Sequence, residues 1–359
     1  MKKTKVGIIG CGNISGIYLE NLTKKFRNVE LAAISELITE RANEVSEKYS
    51  VKAVTTEELL NNPEIEIVLN LTTPQHHFEI NMAALKAGKN VYCEKPLALR
   101  YEDGVETIKY AAEKGLKVGC APDTFLGAGI QTCIKLINDG WIGSPVAATA
   151  FMTCHGHESW HPDPEFYYKN GGGPVFDMGP YYLTALVAML GSVSRITGSC
   201  QKSFATRTIT SEKKYGNIVD VEVPTHAAGV LDFKCGAVGT LIMSFDIWSA
   251  NLPRIEVYGS LGSLSIPDPN TFGGPVKYKS HLAGSEWQDI PLLFDCSENS
   301  RGLGVSDMAN SIQNGLDSHR ANGNLACHIL ELMEGLHVAS ESGSHYILKS
   351  GCEKPQPRI

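Results

Sequence analysis

Up to Pro122 the chain alternates two hydrophobic patterns. Short, continuous apolar runs ("KVGIIG", "VELAAIS", "IEIVLNLTT", "NVYCEK", "KVGCAP") are separated by segments whose apolar residues recur at helical spacing ("ISGIYLENLTKKF", "FEINMAALKAG", "YEDGVETIKYAAEKG"), with "TERANEVSEKYS" as a more polar helix. Gly88 and Gly115 stand where two of these helices should stop. Strands that are apolar on both faces and are joined through helices predict a parallel sheet covered on each side, an α/β doubly wound fold.

Beyond Pro122 the pattern changes. One amphipathic helix is predicted over 129–139, with Ile130, Ile134 and Ile137 on one face and Gly140 past its end. Longer strands follow in succession: "SPVAATAFMTC", "SRITGSCQKSF", "THAAGVLDFK" turning into "VGTLIMSFDIW", and "RIEVYGS" turning into "GSLSIP". Strands joined by glycine turns read as a largely antiparallel sheet. Helices over 305–314 and 324–340 are expected to pack back on the body. The division predicted from this change is a domain over 1–122 and a second over 123–359.

Composition adds exclusions. The chain has 359 residues, 43% apolar and 20% charged, in keeping with a globular protein of two domains. A net charge of −7 argues against a nucleic-acid partner, which needs a basic face. The apolar stretch at the N-terminus is too short for a signal peptide, and "YYLTALVAML" is half the length of a membrane span, which needs about 20 residues. A cytoplasmic protein without membrane partners is therefore expected. The ten cysteines include no CxxC pair and read as free thiols. Cys154, His155, His157 and His161 form the one cluster open to a zinc reading, since His157 and His161 are spaced HxxxH. "HESWHP" makes a poor helix, so the expectation is no metal and a polar, substrate-facing loop.

The chemistry-bearing motifs begin at "VGIIGCGNIS". Gly10 would permit the tight turn after the first strand and Gly12 the close approach of backbone to a pyrophosphate. Asn13 and Ile14 lead into a helix whose free N–H groups face the anion, with Ser15 as the third small residue. Glu36 ends the second strand where a carboxylate can hold the ribose hydroxyls of NAD and repel a 2′-phosphate; the bland alternative is a solvated acid opening the next helix. Leu37 is not the arginine that NADP would favour, so NAD is expected over NADP. Thr72, Thr73 and Pro74, with His77 nearby, close the strand predicted to lie over the nicotinamide ribose. They also suit a capping turn, and both readings can hold together.

"GKNVYCEKPLA", with "TTPQHH" upstream and "GGGPVFDMGPYYLT" downstream, resembles the Gfo/Idh/MocA oxidoreductases over nearly the whole chain. The resemblance extends to "PDTFLGAGIQTCIKLINDGWIGSP" and "IEVYGSLGSLSI". It implies an N-terminal NAD-binding Rossmann domain and a C-terminal α+β domain whose open sheet floors the substrate site and often serves assembly, giving a homodimer or homotetramer. It also implies that Lys95 sits beside the nicotinamide and the substrate hydroxyl, that Glu94 helps hold the cofactor, and that Pro96 follows a cis bond. Asp177 matches the family's substrate-handling acid. Tyr181 stands where inositol dehydrogenases carry His, as in the glucose–fructose oxidoreductase and dihydrodiol dehydrogenase branches.

The implied reaction is hydride transfer between a nicotinamide and a secondary alcohol of a sugar, cyclitol or derivative. A phenol of ordinary pKa near 10 is a poor base at neutral pH, and a nearby ammonium favours its ionised form, so Lys95 and Tyr181 make a plausible proton-transfer pair. Tyr182 is the structural member of the two tyrosines, and Asp177 orients a sugar hydroxyl. In "HGHESWHPDPEFYYKNGGG", Trp160, His161 and Tyr168 are the candidate carbohydrate contacts, with His155 and His157 behind them. Whether Arg320 and His328 return to the site stays open. Two other readings keep the cofactor or the fold: redox-neutral elimination or epimerisation with retained NAD, and a non-catalytic NAD or sugar sensor. "CEKP" recurs at 352–355 in a polar tail, where it reads as coincidence.

Overall fold

The computed structural model describes residues 2–358. They divide into two compact units: residues up to Leu126 with Glu298–Leu330, and Gly127–Ser297 with residues from Glu331 on.

The first unit opens with β1 (Thr4–Ile9), in which every residue except Lys5 is buried. It continues as α1 (Ser15–Lys24), β2 (Val29–Ser35), α2 (Thr39–Tyr49), β3 (Lys52–Ala53), α3 (Thr56–Asn61), β4 (Ile67–Asn70), α4 (His77–Lys86), β5 (Asn90–Cys93), α5 (Tyr101–Glu113) and β6 (Val118–Cys120). All six strands pair in parallel in the order β3-β2-β1-β4-β5-β6. Winding reverses between β1 and β4, and ligands of such sheets bind outside the carboxyl ends of the strands at that point. Two elements escape the hydrophobic pattern. β3 has only two residues, and α3 depends on a capping box: the Thr55 hydroxyl accepts from the Glu58 N–H, while the Glu58 carboxylate accepts from the Thr55 N–H.

The second unit comprises α6 (Ala128–Asn138), β7 (Pro145–Thr153), α7 (Gly173–Leu190), β8 (Val193–Gln201), the small β9 (Thr206–Thr208) and β10 (Ile218–Asp220), β11 (His226–Phe233), β12 (Val238–Ser244), β13 (Ile255–Gly259), β14 (Gly262–Ile266), β15 (Val276–Ser280) and β16 (Gln288–Ile290). After α8 (Leu303–Gln313) and α9 (Gly323–Ser342), β17 (Tyr346–Ile347) completes a nine-stranded sheet, order β16-β15-β14-β13-β7-β12-β11-β8-β17. Every neighbouring pair is antiparallel except β7 and β12, which run parallel, so both chains leave the sheet at the same end. Burial alternates along β7 and β11, as one covered face requires; α7 packs on β7, β11 and β12, and α6 on β14 and β15.

The chain divides differently from the 122/123 expectation. The first break follows Leu126, and residues 298–330 belong to the first unit. Backbone accounting explains the return. The buried Asp123 Oδ2 accepts from the Gly302 and Gly304 N–H groups at 2.8 and 3.0 Å. Asn21 donates to the carbonyls of Asn299 and Arg301, and the Cys120 N–H to that of Ala321. Hydrophobic pattern cannot report such long-range polar ties. No helix among the described residues is long and apolar enough to cross a membrane.

Candidate functional site

At the switch point of the parallel sheet lies a cavity of about 530 Å³, lined in part by Gly10, Gly12, Glu36, Thr72, Thr73 and His76. Gly10 has φ of +93°, and a Cβ there would stand 2.8 Å from the Leu71 carbonyl oxygen, so the turn after β1 requires glycine. A Cβ on Gly12 would meet nothing within 4 Å: its open side is room for a ligand against backbone. Asn13 and Ile14 lead into α1, whose first residue, Ser15, is buried and bonds back to the Gly12 carbonyl. The Cys11 N–H donates to Glu36 Oε2 at 2.7 Å and the Ile38 N–H to Oε1 at 3.0 Å, with the Arg41 guanidinium 3.6 Å from Oε2. Burial pushes the Glu36 carboxyl up, but these N–H groups and Arg41 outweigh it and hold the pKa below the usual range. Glu36 is therefore an ionised wall of the cavity, tied to the glycine turn, rather than a solvated acid.

Thr72 and Thr73 line the cavity, and Pro74 starts the short 3₁₀ turn that feeds α4. His77 departs from expectation: it is 1% exposed, and His76 lines the cavity instead. His77 Nδ1 lies 2.6 Å from the Pro96 carbonyl oxygen and Nε2 3.0 Å from that of Thr72. Carbonyls only accept, so both ring nitrogens must carry protons and the ring is an imidazolium. Burial alone would lower its pKa, but the negative charge of the Cys93 thiolate beside it and the two carbonyls raise it to about 9. His77 is thus a charged clip joining the turn after β4 to the turn after β5. A helix starting at His77 sets which of the adjacent histidines faces inward, a phase the sequence does not show.

The turn after β5 carries Glu94 and Lys95. Glu94 is buried, with its N–H on the Asn70 carbonyl. Its carboxylate accepts from the Tyr18 hydroxyl at 2.8 Å and from the Lys95 N–H at 2.9 Å, so it fixes the lysine's backbone from inside. The Lys95–Pro96 bond is cis. Lys95 itself is half-buried at the carboxyl end of the strand.

In the second unit, α7 starts at Gly173, earlier than the apolar run suggested, which places Asp177 and Tyr181 one turn apart on one face. The Asp177 side chain lies 3.5 Å from His157 Nε2, and the His157 ring packs against Tyr167 and Phe245. His157 is therefore closer to the candidate acid than sequence reasoning ranked it. Tyr181 is 7% exposed; Tyr182 is fully buried and accepts from Arg254 at 3.4 Å, the structural position expected of it. Trp160 is exposed and lies edge-on to His161, which also contacts Phe166 and Tyr167. Tyr168 is a correction: it has no exposed surface, being packed on Phe245 with the Arg207 guanidinium over its ring, and offers no platform for a sugar.

The remaining candidates have structural partners. Arg320 pairs with Asp307, and His328 is fully buried in α9. Lys354 of the second "CEKP" donates to Asn138 at 2.8 Å in a segment without secondary structure. Among the described residues no three His, Cys, Asp or Glu side chains gather as a metal-ligand group. His155 stacks on Trp248 while His157 turns to Asp177.

A glycine turn, an acid at the end of β2 and a cavity at the switch point define a dinucleotide-binding fold. The chain matches two family models, "Oxidoreductase family, NAD-binding Rossmann fold" over residues 4–121 and "GFO/IDH/MocA C-terminal domain" over residues 130–265. It belongs to the Gfo/Idh/MocA family of NAD-binding oxidoreductases. It is 37% identical over 153 residues to inositol 2-dehydrogenase/D-chiro-inositol 3-dehydrogenase of Lactiplantibacillus plantarum, covering 40% of this chain but only 42% of that protein. It is 28% identical over 262 residues to myo-inositol 2-dehydrogenase of Thermotoga maritima, covering 72% of this chain and 74% of that one. An NAD-binding oxidoreductase from Klebsiella pneumoniae shares the fold, with a TM-score of 0.84 at 20% identity over 97% of this chain and all of that one.

Proposed function

We propose that the protein is an NAD-dependent dehydrogenase that oxidises or forms a secondary alcohol of a sugar, cyclitol or derivative. The observation that carries this reading is Glu36: ionised, tethered to the glycine turn and lining the cavity where a dinucleotide ribose belongs. The preference for NAD over NADP follows from the same carboxylate, which repels a 2′-phosphate. When bound, the nicotinamide supplies the hydride acceptor or donor.

The chain's own residues handle the proton. Lys95 is presented from a turn whose backbone is held by Glu94 and whose Pro96 carbonyl is clipped by His77. Its ammonium stabilises negative charge on the substrate oxygen or on a phenolate, and Tyr181 exchanges the proton. Asp177, with His157 behind it, orients a neighbouring hydroxyl; Trp160 and His161 are the proposed carbohydrate contacts. The two sequence relatives described above are inositol dehydrogenases, which supports a cyclitol or sugar substrate. The uncovered face of the second-unit sheet suits a second copy of the chain, so a homodimer or homotetramer is proposed. All ten cysteines are free thiols, which accords with the cytoplasm.

A panel of sugars and polyols with NAD and NADP, followed by absorbance of the reduced cofactor, tests the reaction. Lys95→Ala tests the mechanism: a variant that folds, binds NAD and keeps full turnover would overturn it. NAD that survives dialysis while reduced cofactor never accumulates would point to redox-neutral chemistry instead.

A further inference from the structure

The second unit holds a cleft of about 470 Å³ that the proposed reaction does not use. That size is within the roughly 300–1,000 Å³ of small-molecule sites. One wall is aromatic. His155 stacks on Trp248, with ring centroids 3.4 Å apart and planes 13° from parallel, and meets Phe204 edge-on. Trp248 is 82% exposed and Phe204 47%, so a broad apolar surface stands at the mouth.

The floor is polar and buried. Arg207 is 6% exposed, pairs with Asp246, donates to the Phe245 carbonyl at 2.6 Å, and places Nε 3.4 Å from Glu158 Oε1 without hydrogen-bond geometry. Its Nη1 lies 3.3 Å from His155 Nε2. A guanidinium only donates, so His155 Nε2 accepts and the ring's proton sits on Nδ1. Two buried donors then have no hydrogen-bond partner in the protein, Arg207 Nε and His155 Nδ1, while the Glu158 carboxylate meets the Tyr168 hydroxyl. Gly156 lets the Glu158 carboxylate and the Tyr168 hydroxyl close in beneath the cleft, since a Cβ there would stand 2.0 Å from Glu158 Oε2 and 2.3 Å from Tyr168 Oη. Thr206, Thr208 and Thr210 also line the cleft.

This set selects its occupant. Unpaired donors are satisfied by oxygen acceptors, which the hydroxyl and ring oxygens of a sugar supply without charge. Arg207 faces two carboxylates, Glu158 and Asp246, so the floor carries net negative charge and disfavours an anion. An aromatic wall receives the C–H face of a ring. We propose that the cleft binds a neutral carbohydrate ring. His155 and His157 flank Gly156, and His157 contacts Asp177, so the segment that walls the cleft also supports the candidate substrate acid. The occupant is then the second ring of a glycoside substrate. That link to catalysis rests on the hydride-transfer reading; binding in the cleft does not.

The test uses the full chain without added cofactor, titrated with maltose, cellobiose and methyl glucoside, and with glucuronate as the anionic counterpart, by calorimetry and saturation-transfer NMR. At least one neutral sugar should bind saturably, and glucuronate about tenfold more weakly or worse. Trp248→Ala should weaken the neutral sugar by about tenfold or more, the scale of one lost stacking face. Phe204→Ala serves in its place should that variant not fold. No saturable binding, wild-type binding by the folded variants, or tighter binding of glucuronate overturns the proposal. So does a variant that binds sugar normally but loses self-association in sedimentation, because the aromatic wall would then be a contact between copies. A Lys95→Ala protein with full turnover would refute only the catalytic reading and leave these outcomes untouched.

Discussion

Asp123→Asn should make the protein more stable at neutral pH, although it removes a charged hydrogen-bond acceptor from the core. Asp123 is 1% exposed; its Oδ2 takes the Gly302 and Gly304 N–H bonds, while Oδ1 has no hydrogen-bond partner. Burial raises its pKa from 3.8 to about 6, against the lowering effect of those N–H groups and of Arg301. At about 1.4 kcal/mol per unit, the shift corresponds to about 3 kcal/mol. The folded pKa lies above the unfolded value. The favourable contribution is therefore complete below pH 3.8 and is lost as pH rises through about 6. Asparagine keeps an oxygen for the two N–H groups and never ionises. Its amide nitrogen at the Oδ1 position lacks an acceptor, which costs about 1 kcal/mol. The variant should thus be slightly less stable than wild type below pH 4 and about 2 kcal/mol more stable above pH 6. The assay is urea unfolding at pH 4, 5, 6 and 8 with two probes. Trp141, Trp160, Trp248 and Trp287 all lie in the second unit, so their fluorescence should not respond, whereas the first unit's share of the circular dichroism transition should move to higher urea. A gain independent of pH, or a variant less stable than wild type at pH 8, would refute the reasoning.

Gly10→Ala should cost at least about 1 kcal/mol by forcing a Cβ against the Leu71 carbonyl at positive φ, and should abolish NAD binding in calorimetry. Glu36→Ser should weaken NAD and improve NADP, read as a change in the ratio of the two kcat/KM values. Lys95→Ala should abolish turnover, while Lys354→Ala, in the same tetrapeptide at the other end of the chain, should leave kinetics unchanged. His77→Leu, which has no donor for either carbonyl, should lower kcat more than NAD affinity, with a fall in melting temperature of a few degrees.

The elements readable in the sequence were those with several turns or pleats to show a period, such as β1, α5, β7 and α9. β3, β9, β16 and β17 have two or three residues each, too few for any pattern, and are held by their neighbours' ladders. The glycine turn and Glu36 were legible because their chemistry requires those residues at that spacing. His157, Arg207 and Trp248 were not, because their meaning arises from partners distant in sequence: Asp177 for the first, Glu158 and Asp246 for the second, His155 for the third. The same limit separates His76 from His77. Two adjacent letters look alike, and the start of a helix decides which one faces the cavity.

The return of residues 298–330 to the first unit also orders events in time. A ribosome delivers the parallel sheet long before it delivers α8, so the Asp123 carboxylate waits for its two N–H partners while the whole second-unit segment 127–297 is still being made. Segment 127–297 thus stands between two stretches of the first unit, and the chain returns to the second unit only from Glu331 on. Grafting a different substrate unit onto this cofactor unit would therefore need three splice points, near 126, 298 and 330, and a fragment cut after the sheet alone would lack its last polar ties.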